Sequence, residues 1–315
     1  MLVDPERFVP RAELARLRRV SPVRGLLAVG FTWSVIVACF AAYAVFPSLF
    51  TVLLAWLVMS GRQLALAILM HEGAHGLLLP NKRLNDLLAN WLTAYPMMAD
   101  MPLYRKVHFL HHRHTWTERD PDLALAANLP VTRASFRRKV LRDLTGQTAY
   151  ARHRAMLRLA AGLSPAERGL SGRSLLGVIA ASAVALRGFL IAHALMLGAL
   201  LLVGIPEAYL FIWWLPALTG FSLVLRLRSI AEHACVRDPN DPLLQTRTTL
   251  APGWVRFLLA PHHVNYHLEH HLFMTVPHYN LPRAHRLLRE RGVLERAEVA
   301  SSYLQVLRRA TSKPA

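Results

Sequence analysis

The sequence predicts an all-α integral membrane protein: four transmembrane helices topped by a cytoplasmic helical cap, built as one domain over residues 1–315. Three observations lead there. Hydrophobic residues make up 54% and the mean hydropathy is +0.28, above the usual level for soluble domains. Apolar runs approach the length of about 20 residues that a bilayer requires. Lys and Arg avoid those runs and crowd into the segments between them.

The first run, Gly25–Phe46, has no charge, and the polar, basic residues before it make it an uncleaved anchor rather than a signal peptide. Pro47 and Ser48 turn the chain into the second span, Leu49–Met70, where Arg62 is expected to snorkel toward water. Leu175–Val203 is long for one span and contains Arg187. We therefore expect an interfacial stretch to Arg187 and a crossing at 188–203. Gly204–Pro206 turns the chain and 209–225 returns it. The cap then comprises 71–173 and 226–315, with Leu84–Ala99 and the basic Arg133–Arg158 at the interface. An amphipathic helix pair over Pro282–Ala310 completes it.

The formal charge of +18 on a soluble fold would suggest nucleic acid. Here the inter-span turns at 47–48 and 204–207 contain no Lys or Arg, so the basic residues mark the inner face of a membrane and its anionic lipids. No nucleic-acid partner is expected. The rule places both termini and both long polar segments in the cytoplasm, as in a bacterial inner-membrane protein. The two cysteines, Cys39 and Cys235, do not suggest a disulfide framework.

Most of the sixteen histidines lie in short clusters. HEGAH holds His71 and His75; HFLHHRH holds His108, His111, His112 and His114. His233 stands in EHA, and HHVNYHLEHH holds His262, His263, His267, His270 and His271. Residues three and four apart share a helical face. His71 with His75, the triplet His108/His111/His112 and the triplet His267/His270/His271 can therefore each aim at a metal. His233 can add a ninth ligand. Imidazole suits iron, zinc and copper, and nine ligands exceed what one catalytic zinc uses. All fall on the face that charge assigns to the cytoplasm. Glu72, Glu118, Glu232, Glu269, Asp120 and Asp122 are candidates to orient ligand rings. His153, His193, His278 and His285 read as structural, while His114, His262 and His263 flank ligands.

HEGAH, YRKVHFLHH and NYHLEHHLF, in this order beside paired spans, resemble the three histidine boxes of the membrane fatty acid desaturases, especially bacterial acyl-lipid members. The resemblance covers roughly Leu49 to Leu288. It implies a non-haem di-iron centre on His71, His75, His108, His111, His112, His233, His267, His270 and His271. It also implies O₂ as co-substrate and insertion of a double bond into an acyl lipid. Electrons would come from a separate ferredoxin or cytochrome-type donor with its reductase. Met274, where many relatives have proline, and Ser229, where some have asparagine, depart from the pattern. The motifs leave open a lipid, alkane or carotenoid hydroxylase or ketolase using the same site. A metal transporter would need ligands at mid-membrane, and a zinc hydrolase fewer of them. Trp91, Tyr95 and Trp116 are candidates to line an acyl tunnel.

Overall fold

The computed structural model describes residues 4–161 and 175–314, so the end of the expected cap segment 71–173 lies outside the described residues. The chain begins with α1 (Arg11–Leu17), which packs on the C-terminal part, followed by α2 (Pro22–Val45) and α3 (Leu49–His75). Next come α4 (Lys82–Ala89), α5 (Met101–His114), α6 (Leu123–Ala126), α7 (Arg133–Leu144) and α8 (Gln147–Ala160). α9 (Leu175–Val203), α10 (Leu215–Leu218) and α11 (Gly220–His233) return through the apolar region. The C-terminal part holds α12 (Gly253–Leu258), α13 (His267–Leu272), α14 (Leu281–Glu290) and α15 (Tyr303–Ala310). Among the described residues the regular strand pairing is a short parallel ladder of β1 (Thr248–Thr249) and β2 (Val299–Ala300).

α2, α3, α9 and the stretch Tyr209–His233 are each long and apolar enough to cross a membrane. Local chemistry starts and stops them. Ser21 and Ser48 cap α2 and α3 by accepting backbone N–H bonds from Arg24 and Thr51. Gly76, at φ 75°, ends α3 in the left-handed conformation that glycine adopts without a Cβ penalty.

The structure corrects several boundaries. α3 does not stop at Met70 but runs on to His75, carrying the first histidine pair as its last turn. α9 is continuous from Leu175 to Val203, so Arg187 does not divide it. A lone arginine on an exposed helix face can direct its guanidinium back along the helix, and Nη1 donates to Val184 O at 2.7 Å. The fourth crossing reaches beyond residue 225 to His233. It starts with a π-helical turn, Tyr209–Trp214, and breaks at Thr219. Arg62 does not snorkel. It is 1% exposed, its guanidinium lies 4.1 Å from the Phe257 ring centre, and Nη2 donates to Phe257 O.

α3 is the axis of the molecule. Gly220 brings α11 so close to it that a Cβ would collide with Ser60 and Trp56. Trp213 is buried between the crossings and stacks on Trp33 with centroids 6.3 Å apart. Gln63 Nε2 donates to Trp213 O at 2.9 Å, tying α3 to the fourth crossing inside the bundle.

The cap is tied down by ion pairs and the short strands. Arg226 on α11 pairs with the buried Asp143 on α7. Glu298 collects Arg237, Arg247 and Arg309, fixing the C-terminal segment against the 235–247 loop. α14 and α15 form the expected amphipathic pair, burying Leu281, Ala284 and Leu288 from one and Tyr303, Val306 and Ala310 from the other.

Candidate metal centre

Arg105 sets the distance between the first two histidine helices. Its guanidinium donates to the carbonyls of Ala74 (2.7 Å) and Gly73 (2.9 Å) and pairs with Asp86. It thereby answers the unpaired carbonyls at the C-terminal end of α3. One turn on, His108 Nε2 comes to 2.9 Å from His75 Nε2. α5 starts at Asp100, whose side chain caps Leu103 N at 2.9 Å.

The nine candidate histidines fall into two groups. His71, His75, His108, His112 and His270 form one; His111, His233, His267 and His271 form the other. Within each, one ring nitrogen per residue lies within 4.8 Å of the others. The triplets do not each serve one point, as their shared face suggested. His108 and His112 turn to the first group while His111 turns to the second; His270 joins the first while His267 and His271 join the second. A helix advances about 100° per residue, so positions three and four along diverge enough to serve two centres. The groups are adjacent, with His112 and His271 ring centroids 4.4 Å apart.

The nitrogen contacts cannot all be hydrogen bonds. His71 Nε2 lies 3.0 Å from His270 Nε2, which lies 3.0 Å from His112 Nε2, which lies 2.9 Å from His108 Nε2. A neutral imidazole nitrogen carries either one proton or one lone pair, yet His270, His112 and His108 each face two such partners. In the second group His267 Nε2 faces both His233 (2.8 Å) and His271 (3.1 Å). Ligands about 2.1 Å from one ion stand roughly 3 Å apart when they subtend a right angle. The donor sets therefore fit a transition metal in each group.

Burial suits ligation. Desolvation first, then the field of neighbouring imidazoles, holds His108, His112, His267, His270 and His271 well below the ordinary histidine pKa. Neutral rings are what a metal requires.

The surrounding carboxylates play different parts. Asp120 Oδ1 accepts from His111 Nδ1 at 2.8 Å and is itself held by the N–H groups of Trp116 and Asp122. Burial alone would raise its pKa, but those bonds and the His111 ring keep it below the ordinary carboxylate value. Asp122 stands 3.8 Å from the same Nδ1. Glu72 is 3.7 Å from His71 Nδ1 and accepts the His278 N–H at 2.9 Å. Glu232 pairs with Arg228 and lies 3.6 Å from His267 Nε2. Glu269 orients no ligand: it takes His285 Nδ1 at 2.5 Å and Thr248 Oγ1, because its side chain leaves α13 on the side away from the rings. Glu118 is exposed in a turn and far from such a role.

The remaining histidines sort out. His193 bridges Tyr209 OH (2.8 Å) and Pro96 O (3.0 Å), and His153 contacts Ala149 O. His285 joins Arg289 to Glu269. Sequence reasoning missed Tyr104, half-buried and stacked 5.3 Å from His108 at 6°. It precedes His108 by one turn of spacing, which was a usable signal. Arg228 was also missed. With Tyr104, Ser229 and four of the histidines it borders a cavity of about 30 Å³, enough for a water-sized molecule.

A family model described as fatty acid desaturase matches residues 46–302. The chain belongs to the fatty acid desaturase family. It is also similar to the dihydrorhizobitoxine desaturase of Bradyrhizobium elkanii, with 27% identity over 296 residues, covering 90% of this chain and 80% of that protein. Membership carries a desaturase-type oxidoreductase function, a lipid substrate and a membrane setting, and the histidine groups are compatible with a metal site.

Proposed function

We propose that this desaturase is O₂-dependent, inserts a C=C bond into the acyl chain of a lipid, and works through two iron ions. His71, His75, His108, His112 and His270 would hold one ion; His111, His233, His267 and His271 would hold the other. The observation that carries this reading is the convergence of five and four imidazoles in adjoining groups. Bound there, iron would supply the O₂ activation that removing hydrogen from an unactivated methylene demands. Over the whole reaction two hydrogens leave neighbouring carbons. With two external electrons and two protons, O₂ ends as two waters.

The protein's own residues orient and shield. Asp120 fixes His111 with its proton on Nδ1 and its Nε2 lone pair toward the group. Tyr104 covers the face of His108, and the Arg228–Glu232 pair closes the side of His267. An apolar cavity of about 600 Å³ between α2 and α9, walled by Trp33, Phe40, Trp91, Met196 and Leu200, suits an acyl tail. Of the aromatic candidates, Trp91 borders it, Tyr95 packs on Gly188, and Trp116 donates to Gln245 O at 2.7 Å. We assign the site to the cytoplasmic side of a bacterial inner membrane from the charge asymmetry. Its electrons are assigned to a ferredoxin or cytochrome-type donor, and the whole chain is taken as one domain.

Expression in a host of defined lipid composition, followed by lipid mass spectrometry and metal analysis, tests the reading. Loss of two hydrogens from a lipid, abolished by His271→Ala, is expected. Gain of oxygen would instead make it a hydroxylase or ketolase. Unchanged lipids with no iron in the purified protein would sink the proposal.

A further inference from the structure

Beside Glu72 is a pocket of about 250 Å³ that the desaturase chemistry does not use, bounded by Phe31, Arg62, Arg256, His262, His263 and His278 among others. We propose that it binds one phosphate or carboxylate group at the level of the lipid headgroups.

The donors there lack partners. Arg62 is 1% exposed and its Nε has no hydrogen-bond partner among the described residues. Among the described residues, His278, 6% exposed, has neither ring nitrogen paired, and His263 Nδ1 is equally unpaired. Two contacts are already made: His262 Nε2 lies 2.9 Å from Thr32 Oγ1, and Arg62 Nη2 donates to Phe257 O, leaving the Arg62 Nε free. Buried polar groups are normally satisfied, so a pocket that leaves this many unpaired is shaped for something that pairs them. No Asp or Glu is among the described residues lining it. Two guanidinium groups therefore set the sign of the ligand, and neutral histidines add N–H donors. Burial, and then nearby positive charge, holds His278 at about 3 and His263 at about 4, so both are neutral at pH 7.

A cation fits poorly. These three rings do not converge as the nine do, and Arg62 would repel it. The backbone is also committed: His262 and His263 sit at φ 52° and 58°, conformations that side-chain-bearing residues hold only where their surroundings impose them.

The exposed rim of the pocket points to the source of the anion. Arg62 lies nine residues before His71 on α3, roughly 13 Å below the rings and within the second span, while Arg256 on the rim is exposed. α12 closes the pocket and presents Trp254, 69% exposed, next to Arg256. An outward tryptophan beside an arginine marks the membrane–water boundary.

Binding needs neither metal nor turnover, so its failure is separable from failure of the desaturase reading. The full chain in neutral detergent is titrated with phosphatidylglycerol or phosphatidylcholine in mixed micelles, and separately with inorganic phosphate and with decanoate. Thermal shift and tryptophan fluorescence are followed. Phosphatidylglycerol is expected to bind, with preference over phosphatidylcholine. His278→Gln and Arg256→Gln are each expected to weaken it about tenfold, as loss of a charge-assisted or buried hydrogen bond does. Arg256 is exposed, so its variant is expected to fold even if changes at buried Arg62 do not. Binding of phosphatidylglycerol alone assigns the site to a lipid headgroup. Binding of phosphate or decanoate as well shows that the anion suffices. Equal binding of the two lipids without response to either small anion, or unchanged affinity in both variants, overturns the proposal.

Discussion

His111 Nδ1 and Asp120 Oδ1 stand 2.8 Å apart, and Asp120 is the one carboxylate within hydrogen-bond distance of a ring in either histidine group among the described residues. Within the turn 115–122 that carboxylate is held by Trp116 N and Asp122 N, which both donate to it. Replacing Asp120 with Ala should release the ring while leaving α5 helical. Metal affinity is expected to fall about 10- to 100-fold, the usual cost of losing a ligand's orienting partner. Metal titration of the purified variant, with circular dichroism as the folding control, measures it; full affinity would remove Asp120 from the site.

Acid should destabilise the metal-free protein. His263 and His278 titrate at about 4 and about 3 in the fold against 6.5 unfolded. Between those values the unfolded chain binds more protons, so stability rises with pH through that window and is lost as pH falls below about 6.5. The melting temperature is therefore expected to drop between pH 7 and pH 5. His278→Phe should flatten that slope. A melting temperature independent of pH across this range would contradict the burial that the structure assigns these rings.

At Gly220 any side chain meets Ser60 and Trp56. Gly220→Val should cost about 1–3 kcal/mol through overpacking and push α11, with His233 at its end, away from α3. A lower melting temperature together with partial loss of metal from the second group is the expected pair of results.

Ala199 faces the large apolar cavity between α2 and α9. Ala199→Trp should fill part of it. If the acyl tail lies there, turnover of long chains falls about tenfold while shorter chains suffer less, a few methylene contacts being enough for that ratio. Metal content should stay constant. Equal loss for all chain lengths would move the tail elsewhere.

Length and charge were enough to find the crossings, because twenty-odd apolar residues have few other uses. They did not settle where each helix ends. Nothing local distinguishes Met70 from His71 as a terminus; Gly76 does, and the chain runs on to it. Arg62 shows the opposite limit. An arginine in an apolar run looks like one that reaches for water, and only packing reveals Phe257 above its guanidinium. The nine histidines were visible from spacing, but their division five to four was not. That depends on which side of α5 and α13 each neighbouring helix approaches. Glu269 sat among three candidate ligands in sequence, yet its partners, Thr248 and His285, come from segments 21 and 16 residues away.

α3 has 27 residues, roughly 40 Å of helix against a hydrocarbon slab of about 30 Å. The surplus works as a pedestal. On the proposed acyl-desaturase reading, a methylene that starts in the leaflet would have to reach the rings at the top, and the length of this one helix would set which carbon arrives. On that reading, a turn added below His71 would raise the stage by about 5 Å and is expected to shift the double bond along the tail.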